Sequence, residues 1–491
     1  AVQWTNNPTR YSIENIRKIN TRENDFSPAY ADRRYRSIIF TSSRSDATGK
    51  GTDGWTGQNF TDLFIAELDR RNNWSNPVPI DVTGEVNSPA NEGVASFNDR
   101  YNTMYFSRCE VERKAISECQ IYIATKRGKG WGGVEHVPLG NDSVTIVHPF
   151  ISGDELTIYF SSNMPGGYGG MDIWMAQRPR RNRPFDKPIN LGPVINTPGN
   201  EVFPTLKDEN TLYFSSNYHP GLGGLDIFKS VKVDGQWGKP ENMMVPLNSN
   251  ADDFHMVFNL DEKMLKDAGA KEMGFFTSNR KGGRGGDDIY TFMFPQVIFT
   301  LSGIVYNEET KTGLSGVAVE LVGSDGNVYV DTTDSKGFYR FNEAQVLENT
   351  TYDMTISKAN FFGEKGRETT VGLLKSTDLV RNFYLVPIPK EPIVLPDILY
   401  DLGRWELKPQ YQDSLSGLVV TLEKNPTIVI ELQSHTDIRP IQITNDTLSQ
   451  RRAQEVVNFL IKRGIDPDRL VAKGYGDRVP RVLEDDKTVV I

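Results

Sequence analysis

The sequence predicts a multidomain chain: an all-β propeller, then an all-β sandwich, then an α/β module. Three observations carry this. A strand-like unit recurs five times between Phe26 and Phe294, the stretch from Val297 to Tyr384 alternates apolar and polar residues, and beyond Pro387 the pattern becomes βαβα. The 491 residues accommodate roughly three domains at ~150 residues each.

The composition fits this order. Charged residues make up 24% and hydrophobic ones 37%, which suits a folded chain, and 43 Gly, 27 Pro, 25 Phe and 19 Tyr favour turns and strands. A net charge of −9 disfavours nucleic acid or an anionic membrane as the main partner, because either repels the average surface; a local basic patch stays open. No apolar run reaches the ~20 residues that span a bilayer. The opening Ala-Val-Gln-Trp has no signal-peptide pattern, so any lipid anchor is expected outside this sequence.

Residues 1–21 show no clean strand pattern, and Ser12-Ile-Glu-Asn-Ile-Arg-Lys-Ile suggests a helical turn. They read as a lead-in from an upstream domain.

Residues 22–295 hold the repeat. Its anchor strands end Phe-Thr-Ser-Ser, Tyr-Phe-Ser-Arg, Tyr-Phe-Ser-Ser-Asn (twice) and Phe-Phe-Thr-Ser-Asn, with Phe40, Phe106, Phe160, Phe214 and Phe276 spaced by 66, 54, 54 and 62. A second strand follows each, such as Asp172-Ile-Trp-Met-Ala or Asp226-Ile-Phe-Lys-Ser. Units of about 55 residues with about four short strands apiece predict a propeller of five blades, or of six if the chain ends build another. Through Tyr-Phe-Ser-Ser-Asn and Asp-Ile-Tyr, the region resembles the TolB-like and WD40-like propellers. The glycine-rich loops, such as Gly166-Gly-Tyr-Gly-Gly-Met-Asp, share the pattern of calcium-binding nonapeptides. Those stack every nine residues, whereas these recur once per unit, so a hairpin loop with a structural Asp is expected and no metal. Cys109 and Cys119 end one strand-like run and begin the next, which leaves open a disulfide or two separate thiols.

Residues 296–387 predict a small antiparallel sandwich with Asp-Gly and Lys-Gly turns. Gly303-Ile-Val-Tyr, Leu314-Ser-Gly-Val-Ala-Val and Thr333-Asp-Ser-Lys-Gly-Phe-Tyr resemble the carboxypeptidase regulatory-like (transthyretin-like) domain, which implies a spacer or interaction module. Pro387-Ile-Pro-Lys-Glu-Pro is a stiff extended linker.

In residues 388–491 we expect a strand at Ile398-Leu-Tyr-Asp-Leu, a helical stretch at 409–424, a strand at 427–432 and a helix at about 446–463, capped by Asn445 or Asp446 and followed by Gly464. Asp437 then lies in a loop after a strand, and Arg452 lies 15 positions on, in a helix. An acid and a base so placed suit either a zwitterionic ligand or a salt bridge that only orders the loop.

The order Thr436-Asp437, Asn445, Leu448-Ser449, Arg452-Ala453, Gly464-Ile465, Arg469-Leu470 and Gly474-Tyr475-Gly476 is similar to the OmpA-like peptidoglycan-binding domain. The resemblance implies a βαβαβ fold and non-covalent recognition of diaminopimelate in the cell-wall stem peptide. Asp437 would accept from its ammonium and Arg452 would fork onto its carboxylate, with Asn445 and, behind them, Thr436, Arg439 and Asp401 around the ligand. Family members continue into an Asn-x-x-Arg-Arg segment and a last strand; this sequence stops at Thr488-Val-Val-Ile491, so an incomplete domain is expected.

Five histidines are scattered, and neither His-Glu-x-x-His nor Gly-x-Ser-x-Gly occurs, so no catalysis and no cofactor is expected. The three domains together resemble the PorE-type envelope lipoproteins of Bacteroidota. That resemblance implies a periplasmic place at the inner face of the outer membrane, and peptidoglycan and components of the type IX secretion system as partners.

Overall fold

The computed structural model describes residues 2–6, 8–48, 59–81, 83–112, 115–128, 130–141, 143–389, 393, 395, 398–413, 415–426, 428–437 and 443–478. The chain divides into two units, Ala1–Gln296 and Val297–Ile491.

Among the described residues the first unit contains five antiparallel sheets; four run in chain order, and the fifth takes its outer strand from the beginning of the chain. Their second strands are Ser37–Ser42, Thr103–Glu112, Thr157–Ser162, Thr211–Ser216 and Ala270–Ser278. Every anchor phenylalanine lies on one of these and is enclosed. Apolar side chains on both faces of such a strand require a neighbouring sheet on each side.

The beginning of the chain departs from expectation. Ser12–Asn15 is a strand, not a helical turn, and it pairs antiparallel with Asp288–Pro295 as the outer strand of the fifth sheet. Residues 12–15 therefore belong to the repeat. Their partner lies more than 270 residues away in sequence, so no local pattern marked them.

Sheets are joined by a polar clasp that recurs in sequence as Asn-Ser/Thr-x-x-x-Asp/Glu. Asn20, Asn87, Asn196 and Asn248 are buried, and each side-chain amide pairs with both backbone groups of one strand residue in the preceding sheet. For Asn248 the Oδ1 accepts from Ile227 N–H and the Nδ2 donates to Ile227 C=O, both at 2.8 Å. Asn20 does the same with Ile289 at 2.9 Å and so ties the first sheet to the fifth. Five residues after each Asn, a fully enclosed carboxylate opens the next sheet: Asp25, Glu92, Glu201 or Asp253. The intervening Ser or Thr bonds it, as Thr21 does Asp25 and Thr197 does Glu201. Arginines complete three of the clasps, with Arg44 on Asp25, Arg108 on Glu92 and Arg280 on Asp253. The junction of sheets two and three lacks the motif, since Ile146 stands at the carboxylate position. There Gln120 donates to Val144 O at 2.7 Å; within sheet two, the sulfurs of Cys109 and Cys119 are bonded across neighbouring strands.

The glycine-rich loops close on the Asp that follows them. Asp172 accepts from the N–H groups of Tyr168 and Gly169, and Asp226 from those of Leu222 and Gly223. These carboxylates meet N–H donors, which fits a structural role.

Each first strand carries a bulge whose central residue has a left-handed backbone: Ser27, Val94, His148, Phe203 and His255. His148 stacks on Phe203 with ring centroids 3.8 Å apart, and His255 lies 5.6 Å from the same ring. Burial pulls both imidazoles down to about 3.

In the second unit, two four-stranded sheets share one apolar core that includes Leu301, Val319, Tyr339, Tyr352 and Phe383. One sheet is mixed rather than antiparallel. Phe299–Asn307 pairs parallel with Thr377–Val380 and Phe383–Leu385, because the chain leaves the other sheet after Thr369 and returns along its first strand. Pro387 and Ile388 bond back to residues 360–361, and 390–392 of the expected linker lie outside the described residues.

Among its described residues, the remaining part holds one parallel strand pair, Ile430–His435 with Leu470–Gly476, against the helices Ser416–Lys424 and Asn445–Lys462. Residues 398–402 form no strand, although Ile398 packs in the core. The carbonyls of Asp401 and Arg404 accept from Arg452 instead of from a neighbouring strand.

Two outcomes are expected. Asn248→Ala, which strands two buried backbone groups, lowers stability by about 2 kcal/mol or more in urea unfolding; Asn141→Ala, exposed at the junction of sheets two and three, stays within about 0.5 kcal/mol. His148 and His255 stay neutral when folded but bind protons near the ordinary pKa of about 6.5 when unfolded. Stability therefore falls as pH drops from about 6.5 toward 3, and His255→Asn, which keeps a residue tolerant of the left-handed backbone, flattens that slope in melting curves.

Candidate functional site

The helix Asn445–Lys462 begins beside the carboxyl ends of the two parallel strands. Thr444, with extended backbone, is its cap and accepts from Thr447 N–H; Asn445 is already the first helical residue. That displaces the cap by one from the expected Asn445 or Asp446. Asn445 turns its amide to the Asp477 carboxylate at 3.2 Å, and Arg478 pairs with Asp446 at 3.0 Å.

Two glycines allow the helix and strand to meet so closely. A β-carbon on Gly474 would fall inside the van der Waals shells of Gln450 N and Ser449 Oγ, and Gly476 has φ 58° against Asp446. Ser449 Oγ uses the contact, accepting from Gly476 N–H at 2.9 Å.

Arg452 is buried. Its Nε donates to Arg404 O at 2.9 Å, its Nη2 lies 3.4 Å from Asp401 O, and its guanidinium sits 4.6 Å over the Tyr400 ring. Burial lowers its pKa, while the Tyr400 phenol and the Asp437 carboxylate push it back up. Asp437 thus acts on Arg452 through its field, while the hydrogen bonds of the guanidinium go to backbone carbonyls. Nη1 makes no hydrogen bond to the described residues. Asp401 contributes its carbonyl to Arg452, and its carboxylate takes Lys408 at 2.7 Å. Arg439 lies outside the described residues.

The strand end leading to Asp437 is unusually polar. Ser434 and Thr436 are buried, and Ser434 Oγ, His435 Nδ1 and Thr436 Oγ1 have no hydrogen-bond partner among the described residues. Thr436 N–H is held by Gly476 O at 2.9 Å, and His435 stacks on Tyr475 with centroids 5.3 Å apart. Buried polar atoms are ordinarily paired, so three in succession mark capacity for hydrogen bonds that the protein does not use itself. Ser434 was not among the residues expected at a site. Its signal was legible, because alternation along 430–435 puts Ser434 on the face of Leu432, where an apolar residue is normal.

Residues 399–489 match the model of the OmpA family. They are an OmpA-like domain. Outer membrane porin F of Pseudomonas fluorescens is 32% identical over 121 residues, covering 25% of this chain and 37% of that protein. Outer membrane protein A of Escherichia fergusonii is 35% identical over 88 residues, covering 17% of this chain and 35% of that one. The chain thus spans a little over a third of the length of these curated relatives. Among solved structures, the peptidoglycan-associated lipoprotein from Burkholderia pseudomallei is similar at 27% identity and a TM-score of 0.17, covering 18% of this chain and 77% of that one.

Within the OmpA-like domain, the structure places Thr436 and Asp437 at the strand end, Asn445 at the helix start and Arg452 about two turns on. Gly474→Ala is expected to destabilise the domain by about 1–3 kcal/mol through overpacking. Gly417→Ala, in a helix with open space around it, is expected to stabilise it by about 0.5–1 kcal/mol; thermal melting reads both signs.

Proposed function

We propose that the OmpA-like domain binds the diaminopimelate residue of peptidoglycan. The unpartnered polar atoms of Ser434, His435 and Thr436, beside an acid and a half-used guanidinium, carry this reading. Diaminopimelate presents an ammonium and a carboxylate on one carbon. Asp437 accepts from the ammonium, and Arg452, already oriented by two carbonyls and Tyr400, offers Nη1 to the carboxylate. Asn445 and Thr436 supply neutral hydrogen bonds. Two charge-assisted bonds at ~1.5–3 kcal/mol each make a moderate site that a polymer strengthens through avidity.

The rest of the chain is a scaffold on this reading. The five sheets form a five-bladed propeller, followed by a carboxypeptidase regulatory-like sandwich and then the peptidoglycan-binding domain. The protein works as a non-catalytic anchor in the periplasm, in the manner of the PorE-type lipoproteins, and holds secretion-system components at the outer membrane through its propeller. The carboxylates at the sheet junctions support a non-catalytic reading, since Asp25, Glu92 and Asp253 are enclosed and each is bonded to an arginine.

The test is sedimentation with isolated peptidoglycan. Asp437→Asn removes the charge and keeps the shape, and Arg452→Lys keeps a buried cation without the fork. Each is expected to reduce bound protein by about tenfold or more, with helix content by circular dichroism unchanged. Wild-type retention by both folded variants would refute the assignment.

A further inference from the structure

The first unit carries an arc of positive charge on a chain of net charge −9. The turns that join first to second strands in sheets one, two and three are linked in series. Arg33 Nε donates to Asp99 O at 3.1 Å, and Asp99 N–H donates to Gly153 O at 3.1 Å. The third strands end beside the same turns, because Leu68, Lys126 and Arg178 donate their N–H groups to the carbonyls of Arg36, Asn102 and Leu156. The hairpins that follow, at 69–73 and 178–183, therefore emerge at this end too; Arg181 Nε reaches back to Asp154 O at 2.8 Å.

Arg34, Arg70, Arg71, Arg100, Arg180 and Arg183 stand on these turns and hairpins. All are exposed, and their guanidinium groups have no partner among the described residues. The aspartates of the same segments, Asp32, Asp69, Asp99 and Asp154, are fewer than the arginines, and three of them bond to nearby N–H groups. Asp32 accepts from the N–H groups of Arg34 and Arg36, Asp69 from those of Arg71 and Asn73, and Asp154 from that of Leu156. Exposed arginines outnumber the exposed Asp69, Asp99 and Asp154, so the net charge of these segments is positive.

The chemistry of the surface selects its occupant. None of these turns exposes a large hydrophobic side chain, so the aromatic or aliphatic anchor of a protein interface is missing. The charges sit on turn tips rather than in a groove. Guanidinium forks match phosphate oxygens, and several basic side chains on neighbouring tips reach one charged plane together. We propose that this arc docks the protein on a bilayer containing anionic phospholipid. The inference is independent of peptidoglycan binding, which uses the other unit.

The experiment sediments the full chain with vesicles of phosphatidylcholine alone and of phosphatidylcholine mixed with phosphatidylglycerol. Binding is expected only to the mixed vesicles and is expected to fade in 1 M salt, where the screening length falls to about 3 Å. The triple variant Arg34→Gln, Arg100→Gln, Arg183→Gln is expected to bind about fivefold more weakly per arginine, about a hundredfold in all. Its melting temperature and peptidoglycan sedimentation are expected to match wild type. Equal binding to both vesicles, an unaffected triple variant, or a DNA duplex bound more tightly than the mixed vesicles would each overturn the proposal.

Discussion

The first unit depends on buried polar groups at the seams between its sheets. A sheet covers its neighbour's apolar face along most of its length, but the seam also holds strand ends whose N–H and C=O groups have no ladder to join. An asparagine amide carries one donor and one acceptor and so substitutes for a missing strand residue. The carboxylate five positions on then fixes the incoming strand through a hydroxyl and, at three seams, an arginine. Removing one partner of such a cluster leaves an uncompensated buried group and costs about 3–5 kcal/mol when that group is charged. The Asn20–Ile289 pair matters most, since it ties the beginning of the chain to the last sheet. The seam between sheets two and three lacks the clasp; Gln120 reaches across it, and beside Gln120 the Cys109–Cys119 bond ties together two strands of the second sheet.

The OmpA-like domain solves a related problem differently. Its helix approaches the strand ends so closely that Gly474 admits no side chain, and Arg452 fills the gap beyond by donating to two carbonyls of an irregular segment. That arrangement explains why 398–402 is not a strand. It also fixes the guanidinium before any ligand arrives, which lowers the ordering cost of binding.

Much of this was legible in the sequence, because burial has a period. The anchor phenylalanines, the Asp that opens the third strand in four of the sheets, the alternating strands of the sandwich and the long amphipathic helix all followed from it. What escaped has no period. The clasp asparagines are polar residues in loops, indistinguishable by hydropathy from turn formers, although the spacing of Asn20, Asn87, Asn196 and Asn248 from a following acid was there to be counted. The strand at 12–15 and the parallel return at 377–385 depend on partners distant in sequence. The arginines of the basic arc come from four segments, and the total charge concealed them. At the proposed site, Asp437, Arg452 and Thr436 were named from the order of residues alone; Ser434 was passed over because a serine in a strand is unremarkable until its burial is known.

Net charge and local charge make separate statements about partners. A sum of −9 governs the far field, yet at about 0.15 M salt that field decays over about 8 Å, less than the width of one sheet pair. Within that distance a partner meets only the residues that face it. An exposed arginine with no carboxylate bonded to it presents more of its charge to such a partner than a buried one paired with a carboxylate. The arginines of the clasps and those of the arc are the same residue type in opposite circumstances, the first neutralised in the interior and the second left to act outward. Counting which cations are already satisfied is therefore more informative about binding than counting cations.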